Sequence, residues 1–244
     1  MDEQPKASSR RLRAVQLIPN TMTLGAIGAG LTALRLALEG NVELSVALIV
    51  LAAVLDGLDG AMARLLKSES AIGAELDSLA DFVNFGAVPG LMVYLALLQD
   101  WRGIGWIAVL IYSICCGLRL ARFNVESRIK PAQATQHFVG VPAPGAALLV
   151  LFPLVLSRLV SDTDVPWLGY LTAFWLIMTG LLMISRVPSP SFKSVRVPRD
   201  KAPFLMVALI AVAAAFLTWP WPSLIMIQLG YGAVLIRFAL RPPA

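Results

Sequence analysis

Four aspartates stand close together in DGLDGAMARLLKSESAIGAELDSLAD: Asp56, Asp59, Asp77 and Asp81. The first pair is separated by three residues and the second by four, and on a helix both spacings put side chains on one face. Two helices can therefore aim four carboxylates at one small volume. Lipid-grade sequence flanks them, LSVALIVLAAVL before and FVNFGAVPGLMVYLALL after. A carboxylate at the bilayer costs roughly 2.5–3.5 kcal/mol on insertion scales and is functional by default. Clustered like charges also repel one another unless cations neutralise them. The economical reading is a divalent metal site.

Four carboxylates with no neighbouring His or Cys favour hard, oxygen-seeking cations, Mg²⁺ or Mn²⁺, over zinc. Two such ions side by side suit in-line displacement at phosphorus, since they offset the charge of the attacked phosphate and of the leaving oxygen. Gly60 leaves room for a ligand to approach the helix backbone, and Ala63 extends that low wall by a turn. Arg64, near the same face, carries a guanidinium that forks onto phosphate. Gly73 opens the entry to the second helix. An aspartate on the rim can take a proton from an attacking hydroxyl. These residues lead to metal-assisted phosphoryl or phosphatidyl transfer. An EF-hand is excluded, because DGLDG lacks that loop's alternating ligands and terminal glutamate.

The elements that position these side chains are membrane helices. The chain is 58% hydrophobic and 14% charged, with a mean hydropathy of +0.76; soluble chains carry about 25% charged residues. A net charge of +5 would suggest nucleic acid in a soluble protein, but here it sets topology and meets anionic lipid. Cys115 and Cys116 are adjacent in an apolar run and read as small packing residues. The first apolar stretch continues too long for a cleaved signal.

Hydropathy predicts an all-α polytopic membrane protein with about eight spans, near 17–38, 44–66, 79–98, 103–122, 140–160, 166–186, 203–219 and 222–239. Residues 1–16 form a basic segment before a single membrane domain over 17–239. Pro220, between interfacial tryptophans, is expected to turn the last pair. Of the 20 Lys and Arg, all but Arg35, Arg102 and Arg158 fall on one side. This bias puts both termini and the aspartates on the cytoplasmic face. The run from Gly25 to Gly30 reads as a helix-packing face, and the lone His137 as a polar loop residue.

The stretch from Asp56 to Asp81 resembles the signature of the CDP-alcohol phosphotransferase family at each of its fixed positions. The resemblance implies two divalent metals on Asp56, Asp59, Asp77 and Asp81, with Asp81 as general base. It implies that Gly60, Arg64 and a hydroxyl residue, Ser70 or alternatively Ser68, hold the CDP group. IPNTMTLGAIGAG, DSLADFVNFGAVPG, GLRLARFNV, FVGVPAPGAA and PSFKS are similar to the serine-using branch. That branch implies CDP-diacylglycerol and L-serine as substrates, release of CMP, an inner, plasma-type membrane and a homodimer. Arg119 and Arg122, with the polar amide of Asn124 beside them, then offer a cluster for the serine carboxylate, with membrane anchoring the competing role for the arginines. Lys193 would meet donor phosphate or anionic lipid. The rival readings are another acceptor, glycerol 3-phosphate or an inositol phosphate, and, from a different class, a cation transporter; no paired repeat supports the latter.

Overall fold

The computed structural model describes residues 14–66, 70–129, 138–159, 167–185, 188–189, 211 and 214–240. They are helical except for short connections and a two-residue antiparallel ladder, Phe138–Val139 (β1) with Pro188–Ser189 (β2). Helices are what lipid demands, because every backbone N–H and C=O must find its partner inside the protein. Among the described residues, five helical stretches are long and apolar enough to cross a bilayer: Ile18–Leu38, Val42–Ala63, Ile72–Glu126, Trp167–Ile184 and Pro220–Leu240. A shorter apolar stretch covers Ala143–Ser157.

The first hairpin pairs α1 (Ala14–Leu38) with α2 (Val42–Leu65). Its turn is EGNVE. Gly40 adopts φ +79, and its N–H bonds the Ala37 carbonyl while that of Asn41 bonds Leu36. This is a Schellman closure, which needs a left-handed residue after the helix. Asn41 then caps α2, accepting the Leu44 N–H at 3.2 Å. Ser45 ties the two helices together by donating to the Ala33 carbonyl at 2.6 Å.

The 55-residue stretch Ile72–Glu126 is more than twice the roughly 20 residues one crossing needs, and it folds back on itself. Its outward limb is α3 (Ala71–Asp81), a π-helical turn over Phe82–Ala87, α4 (Val88–Val93) and a second π segment over Tyr94–Leu98. The return limb is α5 (Arg102–Ile129). Asn124 meets Ser78, Ser113 meets Gly86 and Tyr112 meets Phe85; the numbers fall on one limb as they rise on the other, so the limbs are antiparallel. The hydropathy boundary near 79 is late for this span, which is helical from Ile72; α3 begins at Ala71, two residues before the expected entry at Gly73, and carries both Asp77 and Asp81 as expected.

Proline explains the π-helical turn. Pro89 has no N–H for the Phe85 carbonyl four residues back. Tyr112 fills the gap, its buried hydroxyl donating to that carbonyl at 2.6 Å, and Ser113 donates to Gly86 at 2.9 Å. The device recurs where α6 (Ala143–Val150) breaks before α7 (Phe152–Ser157). Pro153 leaves the Leu149 carbonyl free, and the indole N–H of Trp175 on α8 (Trp167–Ile184) takes it at 2.7 Å. On α9 (Pro220–Leu240), Gln228 donates to the Leu148 carbonyl at 2.8 Å. Trp219 is the single non-helical residue between a helical stretch over 214–218 and α9, which Pro220 opens at a position suited to proline. Most of the expected span 203–219, and residues 1–13 of the basic segment, lie outside the described residues.

Cys115 and Cys116 are free and buried, as expected of packing residues. The Gly25–Gly30 run packs through one glycine more than the others. A Cβ on Gly30 would land on the side-chain oxygen of Asn84, which is 0% exposed, whereas one on Gly28 meets nothing within 4 Å. Gly30→Leu should therefore overpack the contact of α1 with the π-helical turn and cost about 1–3 kcal/mol. At about 2–4 °C per kcal/mol for a chain of this size, the melting temperature in detergent falls measurably. Gly28→Leu makes the same change in helix propensity and leaves it in place; equal melting temperatures for the two variants would contradict this packing.

Candidate active site

α2 carries Asp56 and Asp59, and α3 carries Asp77 and Asp81. Carboxylate oxygens of Asp56, Asp59 and Asp77 lie within 4.8 Å of one another. Asp59 is 3% exposed, Asp56 partly buried and Asp77 exposed, so the group opens at one side. Its donors are all hard carboxylate oxygens, a set suited to Mg²⁺ or Mn²⁺. The residues fit a divalent cation.

Asp81 sits outside that group of three. Four residues separate it from Asp77, about 6 Å along the helix axis, so it lies one turn further in. Its carboxyl meets that of Asp56 side chain to side chain, and Arg119 of α5 is within electrostatic reach. Its Oδ1 is buried without a hydrogen-bond partner among the described residues. Asp56 thus belongs to the group of three and also meets Asp81, while Asp77 is the exposed member on the open side.

α1 supplies the wall, a role that spacing alone did not reveal. Thr23, buried, donates to Asp59 Oδ2 at 2.5 Å while also reaching the Pro19 carbonyl at 3.1 Å. This fixes the orientation of one carboxylate, the work of an outer partner at a metal site. Asn20 stands where a Cβ on Gly73 would fall, 2.9 Å from its side-chain oxygen. Gly73 therefore lets α3 start against α1, which carries Asp77 to the group. The signal was present in IPNTMT, the polar island at the start of an apolar helix.

Ser70 is the N-cap of α3, accepting the Gly73 N–H at 3.0 Å. Its own O–H remains able to donate to a ligand at the mouth. Gly60 follows Asp59 on α2, and Arg64 lies in that helix's last turn. Ser68, His137 and Lys193 lie outside the described residues.

The three α5 residues grouped by sequence separate in space. Arg119 turns inward, with its Nε buried and unpartnered among the described residues. Arg122 lies on the outside, 41% exposed, and pairs with Glu126 at 2.9 Å. Asn124 clamps α5 to α3, its amide donating to Ser78 Oγ at 2.9 Å, next to Asp77. A glutamate four residues after Arg122 was legible as a helical ion pair.

This arrangement can hold a phosphate-bearing donor at cations near the mouth while an inner carboxylate faces a second reactant. Comparison with known proteins agrees. The family described as CDP-alcohol phosphatidyltransferase matches residues 16–219. A Mycobacterium tuberculosis protein named CDP-diacylglycerol–serine O-phosphatidyltransferase is 40% identical over 239 residues, covering 97% of this chain and 82% of its own. Proteins of the same name from Helicobacter pylori and Bacillus subtilis are 33% and 34% identical, covering 76% and 72% of this chain and 76% and 91% of their own. A match that runs through the aspartate helices and most of the remaining bundle leaves one conclusion: the chain belongs to the CDP-alcohol phosphatidyltransferase family.

Proposed function

We infer that this chain is a CDP-diacylglycerol–serine O-phosphatidyltransferase, an integral membrane enzyme that moves the phosphatidyl group of CDP-diacylglycerol to L-serine and releases CMP. The observation that carries this reading is the meeting of Asp56, Asp59 and Asp77 in a chain 40% identical, nearly end to end, to a protein of that name. Two divalent cations, Mg²⁺ or Mn²⁺, held by Asp56, Asp59, Asp77 and Asp81, supply when bound the positive charge that offsets the pyrophosphate and the departing CMP.

The chain's own residues do the rest. Gly60, Arg64 and Ser70 hold the CDP group. Asp81 takes the proton of the serine hydroxyl as that oxygen bonds the donor's β-phosphorus and the bond to CMP breaks. The location of Asp81 beyond the group of three, with one oxygen unpartnered among the described residues, supports this role. Arg119 receives the serine carboxylate, supported by its inward Nε, which has no hydrogen-bond partner among the described residues; Arg122 is engaged by Glu126. Lys193 meets donor phosphate or anionic lipid. The proposal includes about eight spans in one domain over 17–239, with the site and both termini cytoplasmic at an inner membrane; the charge bias supports this. The family resemblance supports a homodimer. Family membership removes the ground for a transporter.

An acceptor screen with labelled CDP-diacylglycerol tests the reading. Serine should yield phosphatidylserine and CMP, and transfer to glycerol 3-phosphate or an inositol phosphate instead would replace it. Asp56→Asn and Asp77→Asn should each abolish turnover with the melting temperature kept or raised, because each removes one charge from a repelling cluster. Near wild-type turnover of Asp77→Asn at low metal would contradict the shared metal site.

The arginines separate by substrate. Arg64→Lys should weaken use of the donor, since lysine cannot fork onto phosphate. Arg119→Ala should raise the KM for serine about ten- to a hundredfold, the effect of one lost charge-assisted hydrogen bond, and Arg122→Ala should leave it within about twofold, as expected for an exposed pair. Separate saturation curves for serine and donor read these out. Equal serine KM values for wild type and Arg119→Ala would remove Arg119 from the acceptor pocket.

A further inference from the structure

Three buried polar atoms on three helices lack a hydrogen-bond partner among the described residues: Asp81 Oδ1 on α3, Arg119 Nε on α5 and the Tyr231 hydroxyl on α9. Arg119 lies within electrostatic reach of both Asp81 and Tyr231, so it links the other two. A notch in α6 lets the phenol in, because a Cβ on Gly145 would collide with the Tyr231 hydroxyl. One turn earlier on α9, Gln228 uses its amide N–H on the Leu148 carbonyl. That residue has a packing role; Tyr231, on the same helix, delivers a hydroxyl to the interior and hydrogen-bonds none of the described residues there. Unpaired buried polar atoms are costly, and three around one charged centre call for a polar ligand. Two of the three, the guanidinium and the phenol, are donors suited to one carboxylate, which offers about four lone-pair sites. The third is the acceptor on the proposed base.

We propose that the Tyr231 hydroxyl binds the carboxylate of the acceptor jointly with Arg119, and thereby selects an amino acid over an amino alcohol. The proposal deepens the serine-transfer reading and rests on it. With its carboxylate held between α5 and α9, the acceptor presents its hydroxyl towards Asp81. A site built to hydrogen-bond a substrate group discriminates strongly against analogues that lack it.

The test uses the full-length purified protein in mixed micelles, with CMP release from CDP-diacylglycerol measured for serine and for ethanolamine. Tyr231→Phe should raise the KM for serine about tenfold or more. It should hold the KM for CDP-diacylglycerol within about twofold and lower the serine-to-ethanolamine ratio of kcat/KM by the same factor as the serine effect. A purely structural tyrosine would shift melting temperature and both substrates alike. Gly145→Ala is the second variant: it displaces the hydroxyl without deleting it and should raise the serine KM in the same direction, deciding the matter should Tyr231→Phe fail to fold. Unchanged serine KM and acceptor ratio in a folded variant overturn the Tyr231 assignment while the serine reading stands. A wild-type protein that releases no CMP with serine sinks both.

Discussion

Carboxylates held together against their own repulsion are the constraint on which the rest of this bundle depends. Left alone, Asp56, Asp59, Asp77 and Asp81 would drive α2 and α3 apart. The fold opposes this on every side. A Schellman turn and the Asn41 cap fix α2 against α1, and Thr23 then reaches across to Asp59. The bare Gly73 lets α3 begin against Asn20, and Asn124 pins α3 to α5 at Ser78. Each contact is made by a short polar group or by the lack of a side chain. A cation in the group turns the same repulsion into affinity, which is why the site suits a phosphate-bearing substrate.

The second organising element is proline. Pro89 and Pro153 each free a carbonyl that lipid cannot satisfy, and each carbonyl is taken by a side chain from another helix, Tyr112 and Trp175. The Tyr112 bond fixes the return limb beside the outward limb, and so sets Arg119 near Asp81, while the Trp175 bond ties α8 to α6. The π-helical turn that follows Asp81 belongs to the same arrangement.

Much of this was legible in residue order. Three- and four-residue separations put the aspartates on helical faces, and three of them do converge. The fourth does not join them at a point, because a helix that keeps a face in register also advances a full turn, leaving Asp81 deeper than Asp77. The helical class and the packing role of the cysteines followed from composition and neighbours. The entry of α3 was legible within two residues, at Gly73 against Ala71, whereas hydropathy alone set the span later, near 79, since the first turns of that helix are polar; the Ser70 cap that begins it also fits a ligand-binding hydroxyl. Thr23, Asn84 and Tyr231 are single polar residues in apolar helices, and only the neighbouring helix says which of them faces a carboxylate, the bare backbone of Gly30 or a buried guanidinium. Arg119 and Arg122 look alike in sequence; the bundle turns one inward and gives the other to Glu126.

Mn²⁺ binding, followed by electron paramagnetic resonance on the purified protein in lipid nanodiscs, bears most directly on the central claim that α2 and α3 exist to hold divalent cations. The account predicts saturable Mn²⁺ binding that is lost when Asp56, Asp59 and Asp77 are all changed to Asn, with the helical content of the protein unchanged. Mn²⁺ binding of undiminished affinity in that triple variant, or none in the wild type with its donor substrate present, would contradict it.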